Sequence, residues 1–219
     1  MILALEFSSP QRSVAVLRTD GAAMTAEAVE TGGHGANAFG MIEQVLAEAK
    51  IEREQIDVLA VGLGPGSYTG IRAAISLAQG WQLARGVKLL GVSSADCLAA
   101  QAQAENILGR VSVVIDAQRN EFYLATYEIA ADGWRESAPL KILSLAEVQS
   151  RTGADGILIG PEVTRWFPDG RVIFPRAAEL AELAACRSDF VPGEKLEPIY
   201  LRETNFVKAK AVRSFHFKE

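Results

Sequence analysis

The chain has 219 residues, enough for one large domain or two small ones with a substantial buried core. Its hydrophobic content of 49% and charged content of 22% are ordinary for a soluble protein, and no apolar run approaches the roughly 20 residues of a membrane span. A net charge of −5 argues against a protein whose main task is to grip a phosphate backbone.

The chain enters directly into the apolar run Ile2 to Leu5, with no basic region before it and no cleavage site after it. A buried strand is expected there, not a signal peptide, and the expected location is the cytoplasm. The first segment, ILALEFSSPQRSVAVLRTDG, reads as a short strand, a turn at Ser8 to Arg12 and an alternating strand. GAAMTAEAVE adds a third strand after the turn at Asp20-Gly21. Residues 36–50 have helical periodicity on Phe39, Ile42, Val45 and Leu46, with Met41 as further apolar load. A strand follows at residues 56–63.

GLGPGSYTGIR comes next. Gly64 and Gly66 permit positive φ and close backbone approach, and Pro65 fixes the turn between them. Ser67 or Thr69 caps the following helix, whose first amides point outward as an anion site. The usual completions of such a site are absent. No Lys follows the glycines as in a Walker A loop, and their spacing fails G-x-G-x-x-G. Ser67 also lacks the flanking glycines of a nucleophile elbow. A tight structural turn is expected, in preference to a phosphate cradle. The helix over residues 71–85 has two apolar stripes, Ala73, Leu77, Gly80, Trp81 and Ala84 on one side, Ile71, Ala74, Ile75 and Ala78 on the other. A helix apolar on both sides is covered on both sides, here by the second lobe or by another protein. A strand at residues 87–92 and a helix at residues 94–104, capped by Ser93 or Ser94, complete the first half.

VSVVIDAQRNEFYLATYEIAADGW then repeats the opening pattern: apolar strand, polar turn at Gln118 to Asn120, alternating strand, turn at Asp132-Gly133. An acid closes the first strand each time, Glu6 and then Asp116. Hairpins followed by alternating helices and strands give mixed sheets covered by helices. The expected fold is α/β, a two-lobe, actin-like, ribonuclease-H-like duplication. The lobes are expected at residues 1–105 and 106–219, the second smaller and broken by Pro161, Pro168, Pro175 and Pro192. In the tail, Lys208, Lys210, Arg213 and Lys218 interleave with Phe206, Phe215 and Phe217, a composition that RNA-binding segments share with solvated termini.

Catalytic residue types are scarce. His34 and His216 are the two histidines, and Cys97 and Cys186 are isolated, expected to be reduced core cysteines. Glu6 ends its strand beside Ser8 and Ser9. It either holds a magnesium-bound nucleotide, as in actin-like kinases, or is bonded within its own turn or to Arg12. Asp116, followed by Arg119 and Glu121, poses the same choice.

Four stretches, ILALEFSS, GLGPGSYTGIRAAISLAQGWQLA, IDAQRNEFYLATYE and EPIYLRE, resemble the TsaB (YeaZ, glycoprotease-like) family of tRNA threonylcarbamoyladenosine biosynthesis, in that family's order and across nearly the whole chain. The resemblance implies an actin-like fold without a complete catalytic site or a metal. It implies a partner subunit that binds the transferase TsaD through its first two helices, with the ATPase TsaE joining and TsaC supplying the threonylcarbamoyl-adenylate. Mapped here, the interface is Phe39, Ile42, Val45, Leu46, Ala73, Leu77, Gly80, Trp81 and Ala84. The transferase's H-x-x-x-H is absent. No cofactor is required, and ATP or ADP is expected to be held weakly or across an interface, near Glu6, Ser8, Gly64, Gly66, Ser67 and Thr69. The same helices are expected to pair two copies when TsaD is absent, and tRNA to be met by the complex rather than strongly by this chain. Two departures stand out: Glu6 occupies a position where the family usually has Asp, and GGHGANAF is less polar than the usual helix entry. The rival reading is an ATP-dependent small-molecule kinase with Glu6, Ser8 and the loop at 64–70 on ATP and Asp116 as base. The metallopeptidase of the old glycoprotease label is disfavoured by two scattered histidines and no H-E-x-x-H.

Overall fold

The computed structural model describes residues 1–19, 24–32, 37–152 and 156–201. The Asp20-Gly21 turn, His34, Arg202 and the basic-aromatic tail lie outside the described residues.

The first half runs β1 (Ile2–Glu6), β2 (Gln11–Leu17), β3 (Met24–Thr31), α1 (Ala38–Ala49), β4 (Val58–Gly62), α2 (Tyr68–Arg85), β5 (Lys88–Val92) and α3 (Ser94–Ala104). The second runs β6 (Gly109–Asp116), β7 (Glu121–Ala130), β8 (Gly133–Ser144), α4 (Leu145–Thr152), β9 (Ile157–Gly160), β10 (Arg171–Val172) and α5 (Ala177–Ala185). The strand orders are β3-β2-β1-β4-β5 and β10-β9-β6-β7-β8. In each sheet the first three strands form an antiparallel meander and the other two extend it in parallel. The repeated strand–turn–strand pattern of the sequence is therefore a true duplication, the two-lobe plan of the actin-like ATPase fold.

Side chains alternate across β1, and both faces are buried. Leu3 and Leu5 lie with Val14, Val16, Leu59 and Val61 under α1 and α2. Ile2 and Ala4 lie with Ala15, Ala60 and Leu90 under Ala177, Leu180, Ala181 and Ala184 of α5. The second sheet is covered on one face by Ala95, Leu98, Ala99 and Ala102 of α3, and on the other by Val148 of α4 with Val163 and Phe167.

The expected lobes at 1–105 and 106–219 need correction. Each sheet takes one covering helix from the other half of the chain, so α3 belongs by packing to the second sheet and α5 to the first. After α5 the chain returns across the first lobe, where Val191 pairs with Leu89, Leu196 enters the core and the Ile199 N–H donates to the Leu63 carbonyl at 2.9 Å. The second lobe matches the first in number of strands. Pro161, Pro168, Pro175 and Pro192 interrupt the connections around β9, β10 and α5, whereas Pro139 lies within β8, where the register against β7 shifts.

Candidate partner-binding face and interlobe cleft

Glu6 is fully buried at the end of β1. Its Oε1 accepts the Ser8 N–H at 2.7 Å, and its Oε2 accepts the Ser94 hydroxyl at 2.9 Å. A Cβ at Gly62 would stand 2.0 Å from Oε2, so the neighbouring strand closes directly over the carboxylate. Burial pushes the carboxyl above its ordinary value of 4.5, against the bonds from Ser8 and Ser94 that pull it down. Glu6 is therefore bonded within its own turn and to Ser94. Arg12 lies over the Phe7 ring, 5.5 Å from its centroid.

The glycine loop is pressed against the same turn. Gly66, at φ 147°, would place a Cβ 2.1 Å from the Ser8 carbonyl oxygen, and Gly70 would place one 2.0 Å from that of Phe7. The Ser67 N–H donates to the Ser8 carbonyl at 2.6 Å, and the Ser67 hydroxyl caps α2 by accepting the Gly70 N–H at 3.3 Å. The Gly64 N–H donates to the Ser94 hydroxyl at 3.2 Å. Three loop amides thus donate inside the protein, as a tight structural turn requires, and the cap is Ser67, not Thr69.

Between the lobes lies a cleft of about 610 Å³, lined by Ser8, Gly66 and Ser67 on one side and by Asp116, Tyr123 and Glu162 on the other. The expected nucleotide set is divided. Ser8, Gly66 and Ser67 reach the cleft, Glu6 and Gly64 are buried away from it, and Thr69 is exposed on the first turn of α2. Asp116 Oδ1 accepts the Gln118 N–H at 2.7 Å and Oδ2 the Gln118 side-chain amide at 3.0 Å. Both oxygens are tied to the turn, an arrangement that holds a loop in shape more readily than it takes a proton from a substrate.

The α1–α2 face is of another kind. Ile71, Ala74, Ile75 and Ala78 of α2 are buried against the sheet. The other stripe faces out, with Ala73, Gly80 and Ala84 exposed and Leu77 and Trp81 half-buried. A Cβ at Gly80 would meet nothing within 4 Å, so the chain's own packing does not demand a small residue there. Phe39 is 69% exposed and Leu83 90% exposed. Phe39, Ile42, Leu77, Gly80, Trp81 and Ala84 line a groove of about 480 Å³ between the helices. Ion pairs Arg53–Glu43 and Arg85–Glu54 stand at its edge. The expected interface needs correction at α1: Ile42, Val45 and Leu46 are core residues under the helix, because the sheet below takes Met41 and all three. Ile42 reaches the groove only as its floor. Leu83 escaped the sequence pattern because it lies off both stripes. Its position three residues after Gly80 was the available signal.

A family profile, TsaD: tRNA N6-adenosine threonylcarbamoyltransferase, matches residues 29–198. The tRNA threonylcarbamoyladenosine biosynthesis protein TsaB of Escherichia coli (strain K12) is 30% identical over 179 residues, covering 74% of this chain and 78% of that protein. The chain belongs to the TsaB (YeaZ) family. The TsaB protein of Haemophilus influenzae is 28% identical and covers 92% of this chain and 93% of its own. The structure of YeaZ from Pseudomonas aeruginosa superposes with a TM-score of 0.79 at 29% identity, over 91% of this chain and 99% of that one. Among the described residues, no helix is long and apolar enough to cross a membrane, and no three His, Cys, Asp or Glu side chains converge as a metal-ligand group.

Proposed function

We propose that this chain is a non-catalytic subunit of tRNA threonylcarbamoyladenosine biosynthesis that docks a TsaD-type transferase on its α1–α2 face, with TsaE joining the assembly. The observation that carries this reading is the groove bordered by exposed Phe39 and half-buried Leu77 and Trp81, with Leu83 exposed on the same helix α2. Large apolar side chains grouped in this way mark an interaction site. The relatives' names supply the pathway, and the absent H-x-x-x-H separates this chain from the transferase. In the absence of the transferase the same face pairs two copies. The kinase reading fits less well, since Glu6 and the loop amides already have partners inside the protein. Nucleotide, where it binds, is held weakly in the cleft or shared across an interface.

The test is light scattering after size exclusion, on this protein mixed with TsaD from the same organism. A one-to-one species should replace the self-dimer. Phe39→Glu combined with Leu83→Glu should abolish that species with less than about 0.5 kcal/mol change in stability, because both side chains are exposed. Leu77 and Trp81 are poorer probes, since both also pack on the core. Unmixed peaks for the wild-type pair, with and without ADP and TsaE, would refute the reading.

A further inference from the structure

On β7, Phe122, Leu124 and Thr126 share one face of the second sheet, opposite the face that α3 covers. α4 has eight residues and covers only part of that face. Beside it a concavity of about 300 Å³ remains open. Arg110 from β6, Lys141 from β8 and Arg151 from the last turn of α4 converge on it, and no carboxylate lines it. Leu124, Thr126 and Leu143 contribute to its lining. Thr126 is buried and paired with Ser112 at 3.1 Å.

Among the described residues, none of these three cations takes part in an ion pair. The nearest acids by position are otherwise placed. Glu128 stands opposite Arg110 in register without pairing to it, and Glu147, one turn before Arg151, accepts the Ser144 N–H and hydroxyl at 2.9 and 2.7 Å. Three like charges around one hollow repel each other, and among the described residues only Arg151 has an acid's field to offset this, that of Glu147 on its own helix. In a chain of net charge −5 nothing in the fold requires them together.

We infer that this hollow is an anion site that holds the phosphodiester backbone of an RNA, contributed by the second lobe. Cations arriving from three elements onto an open, unroofed surface suit a phosphate that passes over it. A small phosphorylated metabolite is held instead in an enclosing pocket. The choice of RNA rests on the proposed function, in which the assembly acts on tRNA. The site lies on the second sheet, whereas the docking groove lies on helices of the first, so the two can fail independently.

The test is fluorescence anisotropy of a labelled, unmodified tRNA transcript titrated with the full chain across about 50 to 200 mM salt. Arg110→Gln, Lys141→Gln and Arg151→Gln combined should weaken binding about 10-fold or more at the low end. The combination should also make the log–log salt slope shallower by about 2 to 3, the loss of three phosphate contacts. The control Arg110→Lys with Arg151→Lys, which keeps every charge, should keep the slope. A wild-type chain without salt-dependent binding overturns the proposal, as does a triple variant with unchanged slope. Calorimetry with inorganic pyrophosphate supplies a further arm: saturable binding that the triple variant loses while its tRNA affinity is unchanged assigns the site to a small anion and overturns the RNA reading. Complex formation with TsaD, measured on the triple variant, reports separately on the docking groove.

Discussion

The turns after β1 and after β6 begin from the same device and end as different structures. In each, the acid that closes the strand accepts the N–H two residues on, at 2.7 Å from Glu6 to Ser8 and at 2.7 Å from Asp116 to Gln118. Around Glu6 everything then closes in: Gly62 leaves no space, Ser94 binds the second oxygen, and the glycine loop lies on the Ser8 and Phe7 carbonyls. Asp116 instead gives both oxygens to Gln118 of its own turn. Its turn carries three successive positive-φ residues, Gln118, Arg119 and Asn120, and faces the cleft. The duplication thus yielded one locked turn that fixes where α2 begins and one open turn that borders a cavity.

That contrast can be broken most sharply at Gly70. Its Cβ would overlap a backbone oxygen that cannot move alone, so Gly70→Ala should cost about 3 kcal/mol, or about 6 to 12 °C in Tm for a chain of this size. A shift of a degree or two would mean the loop is not pressed on the turn. A smaller difference separates the acids. Glu6→Ala leaves the Ser8 N–H and the Ser94 hydroxyl buried without an acceptor and should cost about 2 to 3 kcal/mol, whereas Asp116→Ala, at the cleft, should cost about 0.5. Equal values in urea unfolding would erase the distinction between locked and open.

The smallest effect is one of pH. Glu6 titrates above 4.5 when folded, so in the window that opens at pH 4.5 the folded chain holds more protons than the unfolded one. The stabilisation from its protonated form is complete below that window and is lost as pH rises through the folded value. Glu6→Gln cannot titrate. Its stability relative to wild type should be flat below pH 4.5 and rise above it, and a fall in that ratio would reverse the assignment of burial as the dominant cause.

Much of this was legible in the residues, for local reasons. Alternation with polar turns at Ser8 to Arg12 and at Asp132-Gly133 located the hairpins, and glycine and serine chemistry marked the start of α2. Two apolar stripes on α2 announced more apolar surface than one sheet face needs, and the structure buries the Ile71–Ala78 stripe and leaves the other facing solvent. What was not legible depends on distance along the chain. Ser94 meets Glu6 across 88 residues, and no periodicity carries that. Helical patterning shows that α3 needs a sheet but not which one. α5 itself, in FPRAAELAELAACR, was not anticipated, since its nine residues lie among prolines. On α1 the apolar lines looked like surplus for a partner, whereas burial of Met41, Ile42, Val45 and Leu46 shows that the sheet consumes them and leaves Phe39 outside.

The exchange of α3 and α5 between the sheets has a consequence during synthesis. The first sheet has all of its strands once Val92 has left the ribosome, yet the face bearing Ile2, Ala4, Ala15 and Leu90 has no roof until Ala177–Ala185 emerges. At roughly 5 to 20 residues per second that interval lasts several seconds. Throughout it the nascent chain presents a flat apolar plane, so this fold cannot be completed one lobe at a time as translation proceeds.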